Sequence, residues 1–141
     1  MIKRRKAKAG SPNKKVRNAT QVTIDGILFR SKLEAYCYEQ LKAAGIKAGY
    51  ETQKFTLIHP FKFNGESVRA MTYTPDFIGE EFIIECKGYA NDAFPLKWKL
   101  FKFYLYMNKI NVDLYKPKNQ KEIREMVDEI LKKRNERKGI L

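Results

Sequence analysis

The order of apolar and polar residues along the chain predicts short strands interrupted by three helices. Apolar residues at Val22–Ile24 and Ile27–Phe29 flank Asp25-Gly26, a dipeptide that favours a tight hairpin turn. A first helix is predicted over residues 31–44, because its apolar residues recur at helical spacing and Gly45 follows as a stop signal. The chain therefore opens with a hairpin followed by a helix.

The same alternation continues to the C-terminus. A second hairpin turn is predicted at Asn64-Gly65, a second helix from Pro95 to about residue 108, and a third, amphipathic helix near the C-terminus. The remaining predicted strands lie at residues 50–63, 68–78, 82–87 and 112–115. This order, ββ-α-βββ-α-β-α, indicates the α/β class in its α+β form: a mixed sheet flanked by helices in a single domain over residues 19–141.

The net charge of the chain indicates a polyanionic partner. The chain has 29 Lys and Arg residues against 16 Asp and Glu, which gives a formal net charge of +13 and a pI near 9.7. A compact body with that charge attracts DNA or RNA. An acidic membrane surface, or a basic protein that binds neither, is the alternative.

Residues 1–18 form a basic segment that contains no acidic residue. Like charges repel one another, and Gly10 to Asn13 interrupt any helix, so the segment is predicted to be a flexible basic arm. We expect the arm to contact DNA phosphates; a solubilising tail is the alternative. Its candidate DNA-binding residues are Lys3, Arg4, Arg5, Lys14, Lys15 and Arg17.

Two short segments contain the candidate chemistry: Thr74-Pro75-Asp76-Phe77 and Ile84-Glu85-Cys86-Lys87-Gly88. Because side chains alternate between the faces of a strand, Glu85 and Lys87 are predicted to point the same way. A turn at residues 79–81 would place Asp76 across from residues 84–85 on the neighbouring strand. Two carboxylates and an ammonium would then meet, a set suited to Mg²⁺ or Mn²⁺ and to charge on a phosphoryl oxygen.

These segments resemble the signature of a known nuclease superfamily. Pro75-Asp76, a gap of eight residues and then Glu85-Cys86-Lys87 resembles the PD-(D/E)XK pattern. Ser31-Lys32-Leu33-Glu34-Ala35 and Glu51-Thr52-Gln53 resemble the phage-encoded branch, whose members are small endonucleases similar to Holliday-junction resolvases. The resemblance covers roughly residues 29–106 and implies a restriction-endonuclease-like core that hydrolyses DNA phosphodiesters.

The resemblance also implies a role for each matching position. Asp76 and Glu85 correspond to metal ligands, and the backbone carbonyl of Cys86 often completes that set. Lys87 corresponds to the catalytic lysine. Glu34 corresponds to an acidic residue that contacts the metal or a metal-bound water. The implied cofactor is Mg²⁺ or Mn²⁺.

Structural alternatives compete with these roles. Ser31 and Glu34 also match a capping box, in which the glutamate satisfies a free backbone N–H at the start of a helix. Asp76 after a proline is also compatible with a turn, and Glu85 and Lys87 with a salt bridge on an exposed strand.

The helix predicted after the motif adds further candidates. Lys99, Lys102 and Lys109 fall on one face at helical spacing, as residues that contact a DNA backbone would. Lys97 lies roughly opposite, where it either extends past the core to solvent or reaches the active site. Gln53 matches a residue that lines the site in related nucleases, although an exposed strand position explains it equally well.

The expected activity is Mg²⁺-dependent endonucleolytic cleavage of branched DNA by a homodimer, because symmetric cutting of a four-way junction needs two sites. The alternatives are a sequence-specific nuclease of restriction or homing type, a non-catalytic DNA-binding protein on the same fold, and a basic protein unrelated to nucleases. A lone histidine, His59, and the lack of a glycine-rich phosphate loop argue against histidine-metal nucleases and ATP-driven motors. No secretory signal or membrane span is apparent, so we expect a cytoplasmic protein of a bacterium or phage-infected cell.

Overall fold

The computed structural model describes residues 20–88 and 93–139, which form a mixed arrangement of helices and short strands. The helices are α1 (Lys32–Ala43), α2 (Phe94–Met107) and α3 (Gln120–Arg137). The strands are β1 (Val22–Ile24), β2 (Ile27–Phe29), β3 (Gly49–Tyr50), β4 (Phe55–Ile58), β5 (Phe61–Phe63), β6 (Glu66–Val68), β7 (Met71–Tyr73), β8 (Phe77–Ile78), β9 (Phe82–Ile84) and β10 (Asp113–Tyr115).

Both predicted hairpin turns are confirmed. Asp25 and Gly26 connect β1 to β2 with φ angles of 52° and 75°, and Asn64 and Gly65 connect β5 to β6 with φ angles of 47° and 77°. Two successive residues with positive φ match the right-handed twist of the flanking strands, and Asp, Asn and Gly tolerate that conformation best.

The predicted helices are confirmed to within a few residues. The Ser31 side chain caps α1 by accepting a hydrogen bond from the backbone N–H of Glu34, and Pro95 lies in the first turn of α2. The Asn119 side chain caps α3 in the same way through the N–H of Glu122. Among the described residues, none of the helices has the length and apolar character that crossing a membrane requires.

The central sheet is mixed, as predicted. Its strand order is β10-β9-β8-β3, in which β9 runs parallel to β10 while β8 is antiparallel to both β9 and β3. In the β8–β9 hairpin Phe77 pairs with Ile84 and Ile78 with Ile83. Alternate residues therefore enter two different cores. Phe77 and Ile84 pack with α1 and α3, whereas Ile83 packs with α2, β4 and β7.

The prediction of two long strands, over residues 50–63 and 68–78, is wrong. The first divides into β3, β4 and β5, and the second into β6, β7 and β8. Glu51 has a φ of 49° and turns the chain after β3, and Pro60 and Pro75 lack the N–H that a continuous strand would donate.

The pieces of those strands form a ribbon that extends from the core. Strands β4 and β7 pair at its base, where Phe55 faces Tyr73, and β5 and β6 pair at its tip, where Phe61 faces Val68. The base is buried in the core that includes α2, whereas β5 is exposed along its whole length. We call the β5–β6 unit, residues 61–68, the distal hairpin.

Candidate active site

Asp76 is held at the start of β8 by its backbone and its side chain. Pro75 before it is fully buried, and Asp76 itself is only 6% exposed. Its Oδ2 accepts a hydrogen bond of 2.8 Å from the backbone N–H of Cys86, and its carbonyl accepts one of 2.9 Å from the N–H of Glu51. The predicted position of Asp76 across from the end of β9 is therefore confirmed.

Glu85 follows β9 directly and is the second carboxylate of the cluster. Its Oε2 accepts hydrogen bonds from the Tyr73 hydroxyl at 2.8 Å and from the backbone N–H of Asp76 at 3.3 Å. Its own N–H donates to the carbonyl of Tyr115 at 2.9 Å, which extends the parallel pairing with β10 beyond the end of β9. The Glu85 carboxylate is thus fixed from two sides.

Glu34 reaches the cluster from α1. It is 6% exposed, and its Oε2 accepts hydrogen bonds from the hydroxyls of Ser31 at 3.2 Å and Tyr50 at 3.4 Å. Its side chain also lies within hydrogen-bonding reach of Asp76. Of the predicted capping box, the bond from the Glu34 N–H to the Ser31 side chain is therefore confirmed, whereas the Glu34 carboxylate accepts from hydroxyls of described residues rather than from the backbone N–H that the box requires. The same carboxylate adjoins Asp76.

The electrostatics of the cluster favour protonation in the absence of a counter-charge. Burial raises the pKa of Asp76 well above its ordinary value, and the charges of Glu85 and Glu34 raise it further. Burial also raises the pKa of Glu85, against the opposing effects of the Tyr73 hydroxyl and of Lys87. Burial and the adjacent Glu85 raise the pKa of Tyr73, so its hydroxyl stays protonated and serves as a donor.

Lys87 lies on the same side of the chain as Glu85, as predicted. Its charge lowers the pKa of Glu85, and its Nζ lies 4.5 Å from the centroid of the Phe94 ring at the start of α2. Its backbone N–H donates to the carbonyl of Pro117 at 3.0 Å, which continues the pairing alongside β10. The half-buried Lys87 side chain thus lies against the Phe94 ring, from where its charge acts on the Glu85 carboxylate.

Cys86 lies between the two functional side chains and points to the opposite core. Its side chain packs with the cluster that contains Cys37, and both thiols are free. Its N–H is directed at Asp76. In extended backbone the N–H and C=O of one residue point to the same side, so the Cys86 carbonyl is directed towards Asp76 as well.

The other predicted site residues are more dispersed. Lys97 is half-buried on α2, Lys99 and Lys102 are exposed, and Gln53 is exposed between β3 and β4. The Lys102 Nζ lies 6.0 Å from the Trp98 ring. The six basic residues predicted for the arm lie outside the described residues, so their role stays a prediction.

Sequence reasoning missed two tyrosines of the site. Tyr73 donates to Glu85, and Tyr50 donates to Glu34. A buried tyrosine usually needs a partner for its hydroxyl. Tyr73 lies three residues before Asp76 in a predicted strand, and this proximity is the feature of the sequence from which its role could have been predicted.

The carboxylates do not form a ready-made metal site in this arrangement. Within residues 20–88 and 93–139, no group of three or more His, Cys, Asp or Glu side chains has the arrangement of a metal-binding cluster. Oε2 of Glu85 and Oδ2 of Asp76 each accept hydrogen bonds from protein donors. A cation would be held through their other oxygens or after a small rotation of the side chains.

A groove of about 820 Å³ lies elsewhere, at the turn between β8 and β9. Its lining includes Ile46, Phe82, Arg134 and Lys138. Asp76 and Glu85 occupy the opposite ends of the same two strands, so the groove is separate from the carboxylate cluster.

The fold and the cluster together define a mixed α/β protein with buried carboxylates beside a lysine. The family model described as "Protein of unknown function (DUF1064)" matches residues 14–126, and the chain belongs to this family. Comparisons with curated proteins and with solved structures found no match. The matched range includes Glu34, Asp76, Glu85 and Lys87.

Proposed function

We propose that this protein is a metal-dependent DNA endonuclease of the PD-(D/E)XK type. The observation that supports this most strongly is the convergence of Asp76, Glu85 and Glu34 from three elements on one place, with Lys87 beside them. Three carboxylates in one small buried volume repel one another, and such an arrangement is typical of functional sites.

The donor chemistry fits a divalent cation. Carboxylate and carbonyl oxygens are the ligands that Mg²⁺ and Mn²⁺ prefer. Asp76 and Glu85 would hold the ion, with the Cys86 carbonyl as a third ligand and Glu34 as a direct or water-mediated one. Burial and then the charges of Glu85 and Glu34 raise the pKa of Asp76, and a bound cation would offset that negative charge. When bound, such an ion lowers the pKa of water and stabilises charge on a phosphoryl oxygen.

The residues of the chain have separate roles in the proposed hydrolysis. A water oxygen forms a bond to phosphorus and gives up one proton to solvent. The bond from phosphorus to one sugar oxygen breaks, and that oxygen takes up one proton from solvent. The Lys87 ammonium orients the water and offsets the negative charge that develops on the phosphoryl oxygens. Tyr73 keeps Glu85 in place through its hydrogen bond. Ser31 and Tyr50 do the same for Glu34.

A purely structural role explains these residues less well. A salt bridge on an exposed strand would leave Glu85 and Lys87 in solvent, yet both are at least partly buried. Asp76 and Glu34 are almost fully buried next to each other, although like charges destabilise that arrangement. A protein without a use for the cluster would gain stability from neutral residues there.

DNA is the proposed substrate because of the charge of the chain. A net charge of +13 favours a polyanion, and the exposed Lys99 and Lys102 on α2 together with residues 1–18 are the proposed phosphate contacts. We propose branched DNA, including four-way junctions, as the preferred substrate, and a homodimer as the active form, since each chain contributes one cluster. The PD-(D/E)XK core, the cofactor and the cytoplasmic location are parts of the same proposal.

Two alternative functions would require different structural features. A restriction or homing nuclease would need elements that read base edges in the major groove, and the short connections between strands leave little chain for them. A non-catalytic DNA-binding protein would not need the buried carboxylates.

A substrate panel tests the proposal. Labelled linear duplex, single strand, flap and four-way junction would each be incubated with the protein in EDTA, Mg²⁺ or Mn²⁺. We expect cleavage only with metal and fastest on the junction. Cleavage of linear duplex at fixed sequences would indicate a restriction or homing nuclease instead. Tight binding without cleavage in either metal would refute the nuclease proposal.

A further inference from the structure

The distal hairpin, residues 61–68, exposes two aromatic rings on one face. Phe61 and Phe63 are 49% and 63% exposed, and their separation by one residue places both rings on the same side of β5. Phe61 pairs across the ribbon with half-buried Val68, and Phe63 pairs with Glu66. Lys62 and Ser67 form the pair between them, so they occupy the other face.

The distal hairpin is held in place by the base of the ribbon and not by packing of its own side chains. A two-stranded hairpin alone is marginally stable in water, and among the described residues β5 and β6 form a sheet of two strands. The ribbon is anchored at its base, where Phe55 and Tyr73 are buried. The rings at the tip therefore add little to the core, and their exposure to water is unfavourable in free energy.

The net charge of the ribbon favours nucleic acid over an apolar protein surface. The ribbon has three exposed basic residues, Lys54, Lys62 and Arg69, against the single acid Glu66. Glu66 pairs with Phe63, and Lys62 lies on the face opposite the rings. Exposed rings on a basic ribbon suit single-stranded nucleic acid, because bases stack on the rings while phosphates meet cations elsewhere on the ribbon.

We infer that the distal hairpin binds unpaired bases, with Phe61 and Phe63 as the stacking platforms. This inference rests on the DNA-binding part of the proposed function and is independent of hydrolysis. The base of the same ribbon contains Tyr73, whose hydroxyl fixes Glu85. Phe63 at the tip follows Phe55 at the base by eight positions, which spans at most about 26 Å of extended chain.

A binding experiment without cleavage tests the inference. The affinity of the Asp76→Asn protein in EDTA would be measured for a labelled single strand, a four-way junction and a linear duplex at fixed salt. Adding Phe61→Leu and Phe63→Leu keeps apolar bulk and removes the rings. We expect affinity for the single strand to fall at least about tenfold, while affinity for the duplex changes less than about twofold. Phe61→Tyr with Phe63→Tyr is the matched control and should retain the single-strand affinity.

Several results would overturn the inference. Unchanged single-strand affinity in the leucine variant, or an equal loss for all three DNAs, would show that the rings do not stack on bases. Sedimentation of the same variants tests whether a second copy of the chain binds this face instead. If the protein is a dimer that the leucine changes dissociate, this face is an interface between copies. If the wild type cleaves DNA and the leucine changes leave single-strand affinity unchanged, the inference fails and the proposed nuclease stands. If the leucine changes lower single-strand affinity and the wild type cleaves no DNA, the inference stands and the proposed nuclease fails.

Discussion

The backbone N–H of Cys86 donates a hydrogen bond of 2.8 Å to Oδ2 of Asp76. This bond connects the residue before β8 to the residues after β9, and it sets the distance between Asp76 and Glu85. A second hydrogen bond runs the other way, from the backbone N–H of Asp76 to Oε2 of Glu85. The two carboxylates are therefore fixed by the backbone of the hairpin itself, before α1 adds Glu34.

The first prediction concerns stability and pH in the absence of metal. The pKa values of Asp76 and Glu85 are raised in the folded state, so each contributes stability that is present below its ordinary pKa and lost as pH rises through the raised value. Asp25 has a lowered pKa and acts in the opposite sense, but its contribution is complete above its ordinary value of 3.8. Stability in EDTA should therefore decrease as pH rises above the ordinary pKa values of the two carboxyls, 3.8 and 4.5.

Urea unfolding of wild type and Asp76→Asn in EDTA measures this effect. The amide removes one titrating group, so the variant should lose less stability over the same pH range and be more stable than wild type at the upper end. Asp128→Asn, at an exposed position on α3, is the control and should follow wild type. Identical pH profiles for wild type and Asp76→Asn would contradict the raised pKa.

The second prediction separates chemistry from binding at Lys87. Lys87→Gln removes the ammonium beside Glu85 while the backbone bond to Pro117 is unaffected. Loss of one group that stabilises developing charge typically lowers the rate about a hundredfold or more. Single-turnover cleavage should therefore decrease by that factor, with DNA affinity changed less than about threefold. Lys99→Gln, on the exposed face of α2, should give the opposite pattern of weaker binding and a normal rate.

The third prediction concerns Tyr73 as a positioning residue. Tyr73→Phe removes the hydroxyl that donates to Glu85 at 2.8 Å. A lost hydrogen bond to a buried carboxylate costs about 1–3 kcal/mol, and without the opposing effect of this bond the pKa of Glu85 should rise further. We expect the pH–rate profile to shift to higher pH, a change that a general loss of stability would not produce. Tyr106→Phe, at a position 77% exposed, is the control. A slower variant with an unshifted pH profile would show that Tyr73 acts only through stability.

The fourth prediction rests on the sequence and concerns residues 1–18. Deleting them removes eight basic residues and no acidic residue. DNA binding should weaken and the dependence of log affinity on log salt should become shallower, because fewer counterions are released. Metal-dependent cleavage at saturating protein should persist. Unchanged affinity at moderate salt would show that the segment does not contact DNA.

Local features of this fold could be read from the sequence because each depends on a few adjacent residues. The turns at Asp25-Gly26 and Asn64-Gly65 follow from residues that tolerate positive φ. The approach of Asp76 to Glu85 follows from a short turn and the alternation of side chains along strands. These local rules account for the part of the site that lies in a single hairpin.

The parts that the sequence did not reveal depend on packing between distant elements. The ribbon was predicted as two continuous strands, because the pattern does not show where Glu51 and Pro60 redirect the chain. The contact between Glu34 and Asp76 requires α1 to pack at one end of the sheet, which periodicity alone does not specify. The bond from Tyr73 to Glu85 depends on the register of β4 with β7 and on their packing against α2.

The role of the buried carboxylates is tested by the rate of Mg²⁺-dependent cleavage of a four-way junction by wild type, Asp76→Asn and Asp128→Asn. Wild type and the exposed-site control should both cleave the junction. Asp76→Asn should bind the junction with wild-type affinity in EDTA and cut it at least about a hundredfold more slowly in Mg²⁺. Equal cleavage by a folded Asp76→Asn protein would show that the buried carboxylates are not the catalytic site.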